Sequence, residues 1–437
     1  MVYAWRHPKA LLRSAMISVN PPGHLFWNPR VTDSQFTQYA DLCQADAACA
    51  AKTPDLAKTI RDTITTMPSK WGPFSLKNTN VRVLSQYAMH HNGRGSAPNN
   101  APTAIDAYLD GGSGAMWAMS VLAEVALPTS TVWGEFASFA MTDAPAVRQY
   151  YAQGGDRGSI LGNASTDFLW GGPRGISTVW PDSPDNAEYR TVRPSAVETL
   201  LIGGELDFST PPVNATNELL PALSRGHQVV LPGLGHTHDF WEHQPEAGKQ
   251  LLTTFFDTGH VDSTQFHRRP VALDAVPLSM STIAVLLIGV PTGGALIGLL
   301  LRRRRRHGAP NRRASRRIRA LIMVPLGLAG WFLGVLFTWT LAPGWFIADP
   351  VVVVPGTGLL IGLGAHLARP TAKPRSRFAA AAPVAGALAG ALLGSLAGTG
   401  LITPAFAIVG AALGANLVVE IRGCQQPVGL TNPATVG

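Results

Sequence analysis

Cysteine is nearly absent: three in 437 residues, with no C-x-x-C pair and no histidine nearby at ligand spacing, so no metal site can be built on them. Charge is scarce as well. Asp, Glu, Lys and Arg make up 14% of the chain, too little for an ordinary fully soluble protein that is 46% hydrophobic. The net charge of +8 is local, because ten arginines lie between Arg302 and Arg319 and without them the balance would be −2. Residues 1–274 carry 20 Lys and Arg against 25 Asp and Glu, which leaves that half no electrostatic hold on phosphate and argues against a nucleic-acid partner. Also missing is an export signal. The opening "MVYAWRHPK" holds Arg6, His7 and Lys9 and no apolar core of the needed length.

What the chain does have is a change of character near residue 274. Beyond it come four long apolar runs, 275–301, 320–341, 351–368 and 378–419, the last long enough for two passes broken near "GTGLITP". Each pass reaches the roughly 18 to 20 residues that cross a bilayer as a helix, so five spans are expected over 275–423, with a short tail at 424–437. Lys and Arg concentrate on the cytoplasmic side of short loops. The segments "RRRRRHGAPNRRASRRIR" and "RPTAKPRSR" and the residue Arg422 all fall on one side, whereas the opposite loops carry no Lys or Arg. This places a multi-pass protein in the cell membrane, with residues 1–274 outside the cytoplasm and the lipid bilayer as a partner. The spans hold almost no ionisable residue, His366 near one end excepted, which argues against a transporter or channel.

Cys43 and Cys49 sit six apart in "DLCQADAACA", and an exported domain would permit a disulfide between them; two buried thiols are the alternative. Within residues 1–274, "SAMISVN", "AVETLLIGG" and "HQVVLPG" read as strands bounded by Gly and Pro. Residues 24–190 are mostly helical in pattern, and "NATNELLPAL" is a helix candidate between the last two strands. Strand, helical insertion, strand, helix, strand, helix implies an α/β sheet interrupted by a cap, with fewer strands than the five or six of an average sheet.

In "LLIGGELDFSTPP" Asp207 follows one strand, and in "VVLPGLGHTHDFW" His236 follows the next. Loops after neighbouring strands of a parallel sheet meet at its carboxyl edge, where α/β active sites gather. A carboxylate there can fix the histidine tautomer and leave the second ring nitrogen free as a base. Together these stretches resemble the C-terminal end of the α/β-hydrolase fold, in the tripeptidyl-aminopeptidase-like branch of the proline iminopeptidase family. The resemblance covers about residues 1–256. "YAWRHPKALLRSAMISVNPPG" is similar to the helix and strand that follow the family's nucleophile elbow, and "CQADAACA" to the start of its cap.

The resemblance implies that Asp207 is the triad acid and His236 the triad base, with a peptide substrate and no cofactor or metal. It further implies the layout 1–23 as helix and strand after the elbow, 24–190 as helical cap, and 191–274 as the segment bearing Asp207 and His236. The family's G-x-S-x-G serine is expected just before Met1, so the chain reads as a partial hydrolase lacking its first strands and elbow and, as given, is expected to be inactive. Ser113, in "DGGSGAMWAM", approximates the elbow, but a helical pattern precedes it where a buried strand is required. His238 and Asp239 would need two more ligands to hold a metal, and a capping role fits them better. Glu205 reads as a solvated loop carboxylate. Two functions follow: a membrane-anchored, exported aminopeptidase-like serine hydrolase, or a non-catalytic membrane protein whose degenerate hydrolase remnant serves as a binding module.

Overall fold

The structure is a computed structural model that describes residues 1–424 apart from 92–99, 128–130, 157, six positions between 269 and 277, 309, 342–347, 371–376 and 399–401. Of the tail expected at 424–437, Cys424 ends the last helix and the rest lies outside the described residues, as do the loop residues expected at 342–347 and 399–401. The chain divides into two compact units, residues 1–123 with 131–284, and residues 285–437 with the short stretch 124–130.

The first unit is built on a parallel three-stranded sheet of β1 (Arg13–Ile17), β4 (Glu198–Gly204) and β5 (Gly226–Leu231), in the order β1-β4-β5. Between β1 and β4 the chain also forms a small antiparallel hairpin, β2 (Lys70–Trp71) with β3 (Phe74–Ser75). Its strands are too short to show any alternation in the sequence. β4 lies between the two others, and all seven of its residues are buried. Its side chains alternate as strand geometry requires. Leu200 and Ile202 face a core with Leu231, Leu251 and Phe255, the last two from the helix Pro245–Thr258. Leu201 faces the opposite core, formed with Ala215, Leu219 and Leu223.

The segment read as one helix over 214–223 is irregular: a short helical turn at Pro212–Asn214, a π-type turn at Ala215–Leu219 and a 3₁₀ turn at Leu220–Ala222. Two prolines explain this. Pro212 starts the segment, and Pro221 lacks the N–H that would continue an α-helical ladder. The helical insertion supplies eight helices of seven residues or more, from Pro29–Ala45 to Ala164–Trp170. Cys43 ends the first of these and Cys49 lies in the next short helix, and their sulfurs are bonded with Cα atoms 5.1 Å apart.

The second unit is helical. Counting the whole of the first, which begins at Met280, five helices are long and apolar enough to cross a membrane: Met280–Arg306, Arg312–Leu341, Pro350–Leu367, Arg377–Ala397 and Thr403–Cys424. The arginine cluster is largely helical, forming the end of the first helix and the start of the second. Small residues let the backbones approach closely, as lipid-embedded helices prefer. A Cβ on Gly390 would lie 2.1 Å from the Gly410 carbonyl oxygen, and one on Gly330 would lie 2.3 Å from that of Gly356.

The sequence reading overlooked one ionisable group, Glu420 near the end of the fifth helix. It pairs with Arg316 and with Arg319, which is 2% exposed and also donates to Asn416 Oδ1 at 2.7 Å. A Gly390→Leu substitution should separate the fourth and fifth helices at a cost of about 1–3 kcal/mol, seen as an earlier midpoint in an SDS unfolding titration, with Gly289→Leu, where the space is open, as the neutral control.

Candidate active site

Asp207 sits in the loop after β4 and is fully buried. A lone buried carboxylate is costly, so its oxygens are saturated with donors. Oδ1 accepts the backbone N–H groups of Ser209 and Thr210, both at 2.8 Å, while Oδ2 accepts the Thr210 hydroxyl at 2.7 Å and faces His236 Nδ1 at 2.9 Å. Burial by itself would raise the Asp207 pKa. The hydrogen bonds from His236 and Thr210 outweigh it and hold the carboxyl below the usual range.

The loop is clamped from behind by the helical insertion. Gln35 Nε2 donates to the carbonyls of Asp207 and Glu205, at 2.8 and 3.2 Å, and Gln86 Nε2 to that of Phe208 at 3.0 Å. Phe36 meets the Phe208 ring edge-on at 5.0 Å. Asn20, just past β1, donates to the Ser209 carbonyl at 3.1 Å.

His236 follows β5 and starts the short helix Thr237–Glu242. Its N–H donates to the His90 carbonyl at 2.7 Å, which ties the loop to the end of the helix Asn78–Ala88. Asp239 caps the turn by accepting the Gly235 N–H at 2.7 Å, and the ring of His243 approaches its other oxygen at 3.5 Å and that of His91 at 3.6 Å. No group of three or more metal-holding side chains occurs among the described residues. Glu205 is not a free loop carboxylate: it accepts the Gly233 N–H and pairs with Arg268, at 2.8 and 2.7 Å.

Asp207 thus reaches one imidazole nitrogen of His236, and the ring lines a cleft of about 680 Å³. Among the described residues, no hydroxyl hydrogen-bonds the other nitrogen, Nε2; Thr210 Oγ1 approaches Nδ1 instead, at 3.3 Å. Ser113 lies in the first turn of the helix Gly112–Ala126, is preceded by the helix Ala101–Leu109, and is not among the residues that line this cleft. The structure therefore brings Asp207 and His236 together and leaves Ser113 apart.

Sequence reasoning passed over His90, Trp27 and Tyr87, which form one wall. The rings of Trp27 and Tyr87 pack 5.2 and 5.5 Å from that of His90, and His90 lies 5.8 Å from His236. No spacing rule marks them, since they gather from two separate parts of the insertion. Ser18, at φ +53°, and Trp27, at +50°, are the two described non-glycine residues in the left-handed region, and both line the cleft. Such strain persists only where the surroundings fix it, commonly at functional sites.

The parallel sheet thus carries an acid and a histidine on the loops after β4 and β5. Residues 173–267, which contain β4, β5, Asp207 and His236, match an α/β-hydrolase family described as TAP-like protein. No curated protein and no solved structure matches the chain. The chain thus joins a segment similar to TAP-like hydrolases to five helices long and apolar enough to cross a membrane.

Burial pushes the His90 pKa down to about 3, with the neighbouring His236 acting the same way. A base depressed in the folded state binds fewer protons than it does when unfolded. Its contribution to stability is therefore present above the unfolded value near 6.5 and is lost as pH falls from there to about 3. Circular-dichroism melts should show that decline, at most ~1.4 kcal/mol per pH unit from this group, and His90→Phe should flatten it. Gly235→Ala should cost about 1–3 kcal/mol in urea unfolding, because the added Cβ would lie 2.4 Å from the His90 carbonyl and 2.8 Å from Asp239 Oδ2.

Proposed function

We propose that this chain is part of a membrane-anchored serine hydrolase in which Asp207 orients His236 and His236 moves the proton of a serine nucleophile. The observation that carries this reading is the 2.9 Å contact from Asp207 Oδ2 to His236 Nδ1, with the imidazole lining a cleft. A buried carboxylate on Nδ1 fixes the proton there. Nε2 is then the base that takes a hydroxyl proton during attack on a carbonyl and returns it to the leaving group.

Residues 24–190 act as the cap that shapes the cleft: Leu25, Trp27, Tyr87, Phe136 and Leu169 all come from that insertion. The Cys43–Cys49 bond and the one-sided basic loops support an extracytoplasmic hydrolase unit on a multi-pass anchor in the cell membrane. The scissile group is a peptide or ester carbonyl. The resemblance to tripeptidyl aminopeptidases favours peptides cut from the N-terminus.

The test is labelling of the protein from its native membrane with a fluorophosphonate, followed by mapping of the labelled peptide. One serine should carry the label. Asp207→Asn, which leaves the packing in place but releases the tautomer, should slow labelling by about 10³–10⁴-fold. If no serine is labelled, or if labelling proceeds unchanged in His236→Ala, the hydrolase reading fails and the unit is a binding module built on a hydrolase remnant.

A further inference from the structure

The ten arginines between Arg302 and Arg319 fall into two kinds according to the face of the helix they occupy. On the first helix of the second unit, Ile297 and Leu301 pack into the helical core, and Arg305, one turn further on, donates to the His366 carbonyl. On the second helix the inward row is Ser315, Arg319, Ile322 and Leu326, all buried. Ser315 donates to the Ala368 carbonyl at 2.6 Å, and Arg319 pairs with Glu420. These inward groups tie helices to one another.

The outward rows have no such employment. On the first helix the exposed Leu296, Leu299 and Leu300 lead, by steps of three and four residues, to the exposed Arg303 and Arg306. On the second, Arg313 and Arg317 lead in the same way to the exposed Leu321 and Val324. Arg303 and Arg317 therefore stand only about 6 Å along the helix axis from outward leucines. In a bilayer that is the step from acyl chain to headgroup.

Acid is nearly missing around them. Between residues 280 and 424 the carboxylates are Asp349 and Glu420. Asp349 precedes the third helix, beyond the far end of the second, and Glu420 is taken by Arg316 and Arg319. Among the described residues Arg303, Arg306, Arg313 and Arg317 form no ion pair. Arg312 and Arg313 also occupy the first turn of the second helix, which holds no acid, and there the aligned backbone N–H groups disfavour cations and favour an anion.

We infer that these outward rows, Arg303 with Arg306 and Arg313 with Arg317, form a docking surface for anionic phospholipid headgroups. The guanidinium groups bind the lipid phosphate through paired N–H donors, and the adjoining leucines meet its acyl chains. A zwitterionic lipid carries a cation of its own beside the phosphate and gains less from the same surface. A soluble polyanion fits less well, because the rows run directly into the apolar outward face. The inference rests on the five helices crossing a bilayer and is independent of the hydrolase reading.

The test titrates the full chain in detergent micelles, at physiological ionic strength, with dioleoyl phosphatidylglycerol and separately with dioleoyl phosphatidylcholine, and counts bound lipid by native mass spectrometry. The anionic lipid should bind about 10-fold more tightly. Combining Arg303→Gln, Arg306→Gln, Arg313→Gln and Arg317→Gln should shrink that ratio to about 3-fold or less. A charge-matched control, Lys9→Gln, Lys70→Gln, Arg174→Gln and Lys249→Gln at exposed positions of the first unit, should leave it unchanged.

Equal binding of the two lipids by the wild type overturns the inference. So does a full preference in the outward-row variant, or its loss in the control, which would make the effect one of net charge alone. A short single-stranded RNA added at equal phosphate should leave the anionic lipid in place, and its displacing that lipid would assign the surface to nucleic acid instead.

Discussion

The first unit depends on how one buried charge is held. Asp207 has lost all contact with water, and the loss is made good by two backbone N–H groups, one hydroxyl and one imidazole. Charge-assisted hydrogen bonds of this kind are stronger than neutral ones and fix geometry as well as energy. Because the donors come from the loop after β4 and the loop after β5, they join the two strand ends into one object. Gln35 and Gln86 then secure the same loop by its carbonyls from the helical insertion. Removing the insertion would leave those carbonyls buried or wet without partners, so sheet and insertion form one unit.

Much of that arrangement can be read from the residues in order. β4 is a run of apolar residues ending in Gly203-Gly204, and β5 a shorter run ending at Pro232, so their boundaries show as breaks in composition. Asp207 and His236 are legible because loops after adjacent parallel strands share an edge. What is not legible is contact across the insertion. His90 meets His236 because one backbone hydrogen bond joins positions 146 residues apart, and nothing local to "YAMHH" announces it. The irregular turn at 212–222 was also hidden, since its apolar spacing mimics a helix while its prolines forbid one. Glu420 lay unnoticed at the end of an apolar run, and only the helix packing reveals Arg316 and Arg319 as its partners.

The second unit follows different physics from the same alphabet. Lipid removes the hydrophobic incentive for one helix to seek another, so contact relies on close approach and on polar pairs. Gly386, Gly390 and Gly394 lie against Gly414, Gly410 and Phe406, which brings the fourth and fifth backbones nearly into contact. At the end of that pair, Glu420 ties the fifth helix to the second through Arg316 and Arg319. The glycines set how near the helices come, and the ion pairs set their rotation.

The apolar lining of the cleft bears on the chemistry. As His236 takes a proton in the proposed reaction, an imidazolium forms within 3 Å of the Asp207 carboxylate. In water that attraction would be screened to little, but in an apolar, partly enclosed site it is several times stronger. A second acid lining the cleft would hold His236 in its charged form before attack and spoil it as a base. A cation there would oppose the proton transfer. Among the described residues no Asp, Glu, Lys or Arg side chain lines the cleft, so Asp207 is the carboxylate that faces the imidazole as the proton moves.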